Sequence, residues 1–175
     1  SAKTNYYHKP VANLNWDFTI NENLSLSTVV YASMGTGGGT STLGNGIGYT
    51  NGGYKANGEI NWDLIASNNE GLKDGISNGN NSTVLASSVN NHFWYGGVSN
   101  LTFDTKKGFV FNVGTDLRFY QGEHYQQLNN LLGAKGRVST NAQRDKNYTV
   151  NKTYSSGAWN SLFNRASRDE RIGFD

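Results

Sequence analysis

The stretch Ala12-Asn13-Leu14-Asn15-Trp16-Asp17-Phe18-Thr19-Ile20 alternates apolar and polar residues without a break. After Asn21-Glu22-Asn23 the alternation resumes, with Leu24, Leu26, Thr28, Val30, Ala32 and Met34 on one side and Ser25, Ser27, Val29, Tyr31 and Ser33 on the other. A period of two places each set on one face of a pleated strand, so residues 6–20 and 24–34 read as a hairpin. The pattern recurs further along the chain. Residues 92–104 put Phe93, Tyr95, Gly97, Ser99, Leu101 and Phe103 on one face, and residues 109–120 do the same with Phe109, Phe111, Val113, Thr115, Leu117 and Phe119. The four-residue turn Thr105-Lys106-Lys107-Gly108 joins this second pair.

Working outward, residues 35–91 and 121–168 carry little strand pattern. The first opens on Gly35-Thr36-Gly37-Gly38-Gly39-Thr40 and contains an Asn-rich run at 78–81, with a short helical turn expected over 60–66, where Trp62 and Ile65 share a face. The second has Tyr125, Leu128, Leu131 and Leu132 at helical spacing, and residues 169–175 read as the start of a fifth strand. Loops this long are unusual in a compact soluble domain. They are expected of an outer-membrane β-barrel, in which short periplasmic turns alternate with long extracellular loops. The fold class expected is all-β: an antiparallel transmembrane barrel segment of about four strands with two long extracellular loops, at 35–91 and 121–168.

Composition agrees. Of 175 residues, 35% are hydrophobic and 13% aromatic, so much of the apolar content is Tyr, Phe and Trp; with 22 Gly and one Pro, the chain favours strands and turns over helices. A net charge of +2 with no basic tract points away from nucleic acid, and the absence of Cys excludes disulfides and thiolate metal sites. No apolar run approaches the roughly 20 residues of a membrane helix, and Ser1-Ala2-Lys3-Thr4-Asn5 lacks the apolar core of a signal peptide. Barrel strands need neither, since they cross with about 9–11 alternating residues. Aromatic bands form two levels: Tyr6, Tyr7, Tyr31, Phe93, Tyr95, Phe119 and Tyr120 at one end, and Trp16, Phe18, Phe103, Phe109 and Phe111 at the other. Interfacial girdles produce this pattern. Because the smallest single-chain barrels use about eight strands, four are expected to be part of a larger wall.

The segments carrying the pattern also resemble part of the barrel of SusC/RagA-like TonB-dependent outer-membrane transporters. The residues concerned are Tyr6-Tyr7-His8-Lys9-Pro10 leading into Asn13-Leu14-Asn15-Trp16-Asp17, and Leu26 to Ser33. Further matches are Gly58-Glu59-Ile60-Asn61-Trp62-Asp63, Asn90 to Gly96, Asn112 to Arg118, Tyr120 to Tyr125, and Asp169-Glu170-Arg171-Ile172. The resemblance implies a location in the outer membrane of a Gram-negative bacterium and import of a nutrient such as an oligosaccharide or peptide with TonB-coupled energy. The implied partners are outer-membrane lipid, a plug domain, the remaining strands of a barrel of about 22, TonB acting through the plug region, and a SusD-like surface lipoprotein as lid. The plug, the TonB box and the closing strand of that family have no counterpart in these residues.

Site chemistry is sparse. Gly39 and Gly44 have P-loop spacing, but Asn45 stands where the lysine belongs, leaving a permissive Gly-rich loop. His8, His92 and His124 lack metal-ligand spacing, and neither a nucleophile elbow nor a catalytic Cys is present, so no catalysis and no cofactor are expected. Trp62, Trp94, Tyr125 and Trp159 are the candidate substrate-binding aromatics of the loops. Asp17, Asp104, Asp116 and Arg118 lie on the polar strand face, which in a barrel lines the lumen. The alternatives are a soluble β-sandwich carbohydrate-binding module, whose apolar faces would form a buried core, and a passive porin.

Overall fold

The computed structural model describes residues 3–47, 52–139, 148–154, 166–167 and 170–172. In chain order the elements are β1 (Asn5–His8), β2 (Val11–Asn21), β3 (Leu24–Leu43), α1 (Trp62–Glu70), β4 (Ile76–Ser77), β5 (Val84–Asp104), β6 (Val110–Asn130), β7 (Gly136–Val138) and β8 (Thr149–Val150). The architecture is mostly antiparallel sheet. One five-stranded sheet runs β1-β3-β5-β6 with β2 also on β3, and a second, of three strands, runs β4-β7-β8. Among the described residues the larger sheet does not close on itself, and no helix is long and apolar enough to cross a membrane.

The chain divides into two compact units. One comprises Lys9–Gly35 and Asn91–Gly122. It is built from the alternating stretches. β2 pairs with β3 from Val11↔Ser33 to Asn21↔Leu24, with a register shift between Thr19 and Asn21 at the turn. Leu14 therefore opposes Val30, and Phe18 opposes Leu26. Asn23 N–H bonds the Asn21 side chain at 2.9 Å and closes the turn. At the other turn Asp104 accepts from the Lys106 N–H at 2.8 Å and the Lys106 ammonium at 3.1 Å. The seam between the hairpins, β3 on β5, is marked by Asp104 N–H to the Asn23 carbonyl (2.8 Å) and by the Thr28–Ser99 hydroxyl pair (2.9 Å). These contacts put the alternating apolar positions, such as Leu14, Trp16, Phe18, Leu26, Val30, Tyr95, Leu101, Phe111, Val113 and Leu117, on a single face.

That face is bare. Leu14, Trp16, Val30, Phe93, Tyr95, Phe111, Val113, Leu117 and Phe119 are between 45% and 71% exposed. All of β2, and β6 from Val110 to Gly122, is exposed on both faces.

The other unit, Ser1–His8, Thr36–Asn90 and Glu123–Asp175, holds the buried core. One cluster joins Val84, Leu128, Val150 and Ile172; another joins Val89, Tyr125, Tyr154 and Ala166. Helix α1 starts where the Asn61 side chain accepts from the Leu64 N–H (3.2 Å), and it buries Ile65 and Asn69. Asn69 acts as a brace. Its amide accepts from Thr83 N–H (3.2 Å) and donates to the carbonyls of Thr83 (2.6 Å) and Leu132 (2.8 Å).

Several expectations need correction. The strand read over 6–20 is two, β1 and β2, because Pro10 has no N–H for the ladder. The strand read over 24–34 runs on to Leu43, so the Gly-rich run is sheet, not loop. Gly37 and Gly38 pair with Tyr7 and Tyr6, and a Cβ on Gly37 would lie 2.2 Å from the Tyr7 ring. The glycines are the floor on which tyrosines lie. The strand read over 92–104 starts at Val84, and the one read over 109–120 ends at Asn130. Thus 35–91 and 121–168 are not loops throughout. The spacing of Tyr125 and Leu128 that suggested a helix arises because this end of β6 is buried on both sides, which breaks strict alternation. The helical turn expected over 60–66 is a helix from Trp62 to Glu70.

Candidate functional site on the polar face

Opposite the bare apolar face, the same four strands carry Tyr31, Gly96, Trp94, Asp116 and Arg118. Strand parity puts them together: Tyr31 on β3, Gly96 on β5 and Arg118 on β6 form one cross-strand row, with Trp94 and Asp116 two residues along on the same face. The Arg118 Nε–H donates to the Tyr31 hydroxyl at 3.0 Å, and its guanidinium lies 5.4 Å from the Trp94 ring centre. Tyr31 meets Trp94 edge to face at 6.1 Å, and the Lys9 ammonium sits 4.6 Å from the centre of the same indole. Arg118 also faces Asp116 at 3.8 Å. Gly96 makes this possible. A Cβ there would fall 2.4 Å from the Leu117 carbonyl and 2.7 Å from the Tyr31 hydroxyl, so only glycine leaves room for the phenol to cross.

Among the described residues the patch carries two cations against one carboxylate, and the indole N–H of Trp94 is buried with no acceptor among them. A ring with cations over it is a poor free platform for a sugar face. Positive charge suits instead a ligand rich in carboxylates or carbonyls. Both members of the Asp116–Arg118 pair are more than half exposed, so water and salt screen that contact.

The four expected lumen charges do not assemble. Asp116 and Arg118 adjoin, while Asp17 accepts from the Ser27 hydroxyl on the β2–β3 pair and Asp104 is tied to Lys106 at its turn. The four aromatics also separate. Trp94 belongs to the patch. Trp62 opens α1 and is 38% exposed, and Tyr125 is a core residue with the Arg171 guanidinium 4.1 Å from its ring centre. Trp159 lies outside the described residues. The histidines have other work: His92 Nδ1 meets the Tyr120 hydroxyl and His124 Nδ1 meets Asn90, each at 2.6 Å. Among the described residues no group of three or more His, Asp or Glu is placed to hold a metal. Lys9 and Gly96 carried no sequence signal beyond parity. The Tyr31–Gly96–Arg118 row was readable only once the β3–β5 seam fixed which residues stand opposite each other.

No protein-family model, curated protein or solved structure matches this chain.

Proposed function

We propose that this chain forms part of the wall of an outer-membrane β-barrel, specifically of a SusC/RagA-like TonB-dependent transporter that imports a nutrient such as an oligosaccharide or peptide. The observation that carries the reading is the bare apolar face. A sheet whose apolar positions align in register across four strands and stay exposed exceeds what a soluble monomer leaves in water. The obvious cover is lipid. Phe119 to Phe111, and Tyr95 to Phe103, are each eight residues apart, about 26 Å along a strand at the usual rise. That matches the roughly 25 Å apolar band between aromatic girdles. Tyr95 and Phe119 stack across the strands at 5.1 Å at one level, with Trp16 and Phe18 6.1 Å apart at the other. The sandwich alternative requires that face to be buried, and it is not. The transporter assignment, beyond a barrel wall, rests on the resemblance of the residues quoted above.

Fractionation of cells carrying the native protein tests the first part. Recovery in detergent-solubilised outer membrane is expected, and recovery in the soluble fraction would overturn the membrane reading. Uptake measured with and without TonB tests the second. Import should stop without TonB, and uptake indifferent to it would mean a passive pore.

A further inference from the structure

Two cations on the polar face of the sheet are held in place by neutral groups. The Arg118 Nε–H is engaged by the Tyr31 hydroxyl at 3.0 Å, across the gap that Gly96 leaves. The Lys9 ammonium lies 4.6 Å from the centre of the Trp94 ring. Its backbone is held as well. A residue before proline is confined to extended geometry, and the Pro10 carbonyl accepts from the buried Ser33 hydroxyl at 2.9 Å. The Arg118 guanidinium is 5.4 Å from the centre of the same indole, so the two charges stand within about 10 Å of each other, comparable to the Debye length in dilute buffer.

Carboxylates do little to neutralise them. Among the described residues Lys9 has no acidic partner, and Asp116 comes no nearer to the Arg118 Nη2 than 3.8 Å, beyond hydrogen-bond distance. At the turn end of the sheet the charges do pair, Asp104 with the Lys106 ammonium at 3.1 Å. The Arg118 side chain is 53% exposed and Lys9 is exposed, so both cations are open to a solute without any rearrangement.

We infer that this patch selects acidic oligomers, with Lys9 and Arg118 each taking a carboxylate of one extended ligand. The inference rests on the barrel reading, in which this face lines the lumen that the nutrient enters. Alternate side chains of an extended peptide lie on one side, about 7 Å apart, so an Asp-x-Asp spacing brings a carboxylate to each cation. An oligouronate offers the same chemistry from a sugar backbone. Asp116, beside the arginine, works against the attraction and sets its strength.

Calorimetric titration of the native protein in detergent, at low salt, tests this with four probes. They are a capped Asp-Gly-Asp-Gly-Asp peptide, its Asn counterpart, trigalacturonate and neutral trigalactose. At least one acidic probe should bind about tenfold or more tighter than its neutral counterpart, and the pair that does so identifies the source of the carboxylates. Lys9→Gln and Arg118→Gln should each remove most of that preference, whereas Asp116→Asn should increase it. Opposite responses at 116 and 118 are not what a merely structural pair would give. Lys107→Gln, at an exposed turn, should bind like the wild type, and Lys9→Gln decides the matter if Arg118→Gln does not fold. Equal binding of acidic and neutral probes, failure of both acidic probes to bind, or a preference indifferent to Lys9 and Arg118 would overturn the inference. Binding in detergent needs no TonB, so uptake independent of TonB would end the transporter reading and leave the charge preference standing. TonB-dependent uptake with no charge preference would do the reverse.

Discussion

Gly96 lies between Tyr31 and Arg118 in the cross-strand row of the polar face, and its missing side chain lets the phenol reach the guanidinium. Its neighbour Gly97 points to the other face, where a Cβ would meet atoms only at 3.4 and 3.5 Å. The two glycines therefore respond differently to the same change. Gly96→Ala should lose about 1–3 kcal/mol, because the obstructing Leu117 carbonyl belongs to the backbone and cannot swing away. Gly97→Ala should stay within about 0.5 kcal/mol. Denaturant midpoints in a fixed detergent measure both, and equal losses would mean that Tyr31 does not cross Gly96. Asn69 offers a second case. Its one side chain satisfies Thr83 and Leu132 backbone groups at the same time, so Asn69→Ala should cost at least about 2 kcal/mol, read from the same midpoints.

Among the elements, Glu170 fastens one short segment to another. Its carboxylate takes hydrogen bonds from the Tyr154 hydroxyl, the Lys152 ammonium (3.0 Å) and the Ser167 N–H (3.0 Å). These bonds, led by that from Tyr154, hold its pKa down at about 2. A carboxylate lowered on folding contributes stability above its unfolded value, near 4.5, and loses it as pH falls toward 2. Just beyond Glu170, Ile172 and Gln126 exchange both backbone hydrogen bonds, at 2.8 and 3.2 Å. Acidification from pH 4.5 to 2 should therefore lower the protection factors of the Gln126 and Ile172 amides, the intrinsic pH dependence of exchange being divided out, and Glu170→Gln should flatten that dependence. Protection factors unaffected by pH in the wild type would show that Glu170 does not hold this bridge. The strand centres were legible in the sequence because, where only one face is apolar, period two is the whole signal. Their far ends were not. Between Val84 and Ser87, and between Tyr125 and Leu128, side chains on both faces are buried or half-buried, so alternation disappears while the strand continues. At Gly37 and Gly38 the partner tyrosines supply the bulk that the strand itself lacks. For the candidate site, the sequence showed Trp94, Asp116 and Arg118 as residues of one face but not their company, since which strand adjoins which is a long-range fact.

For the whole molecule, the separation of faces makes opposite demands on adjacent residues. Val113 is 71% exposed in the middle of the apolar face, and Asn112, next to it, bonds Thr102 on the polar face at 2.7 Å. In a bilayer, Val113→Lys should cost about 2–4 kcal/mol and reduce the folded, membrane-inserted fraction, while Asn112→Lys should be nearly neutral. Equal tolerance of the two would remove lipid as the cover for that face. The seam of β3 and β5 has a consequence of another kind, in time. Within each hairpin, partners such as Asp17 and Ser27, or Thr102 and Asn112, are 10 residues apart, whereas Thr28 and Ser99 are separated by 71 and Asn23 and Asp104 by 81. Short closures take microseconds and long ones wait on them. Pulse-labelled exchange should accordingly show the hairpin amides protected first and the Asp104 amide, which bridges the two hairpins, protected late.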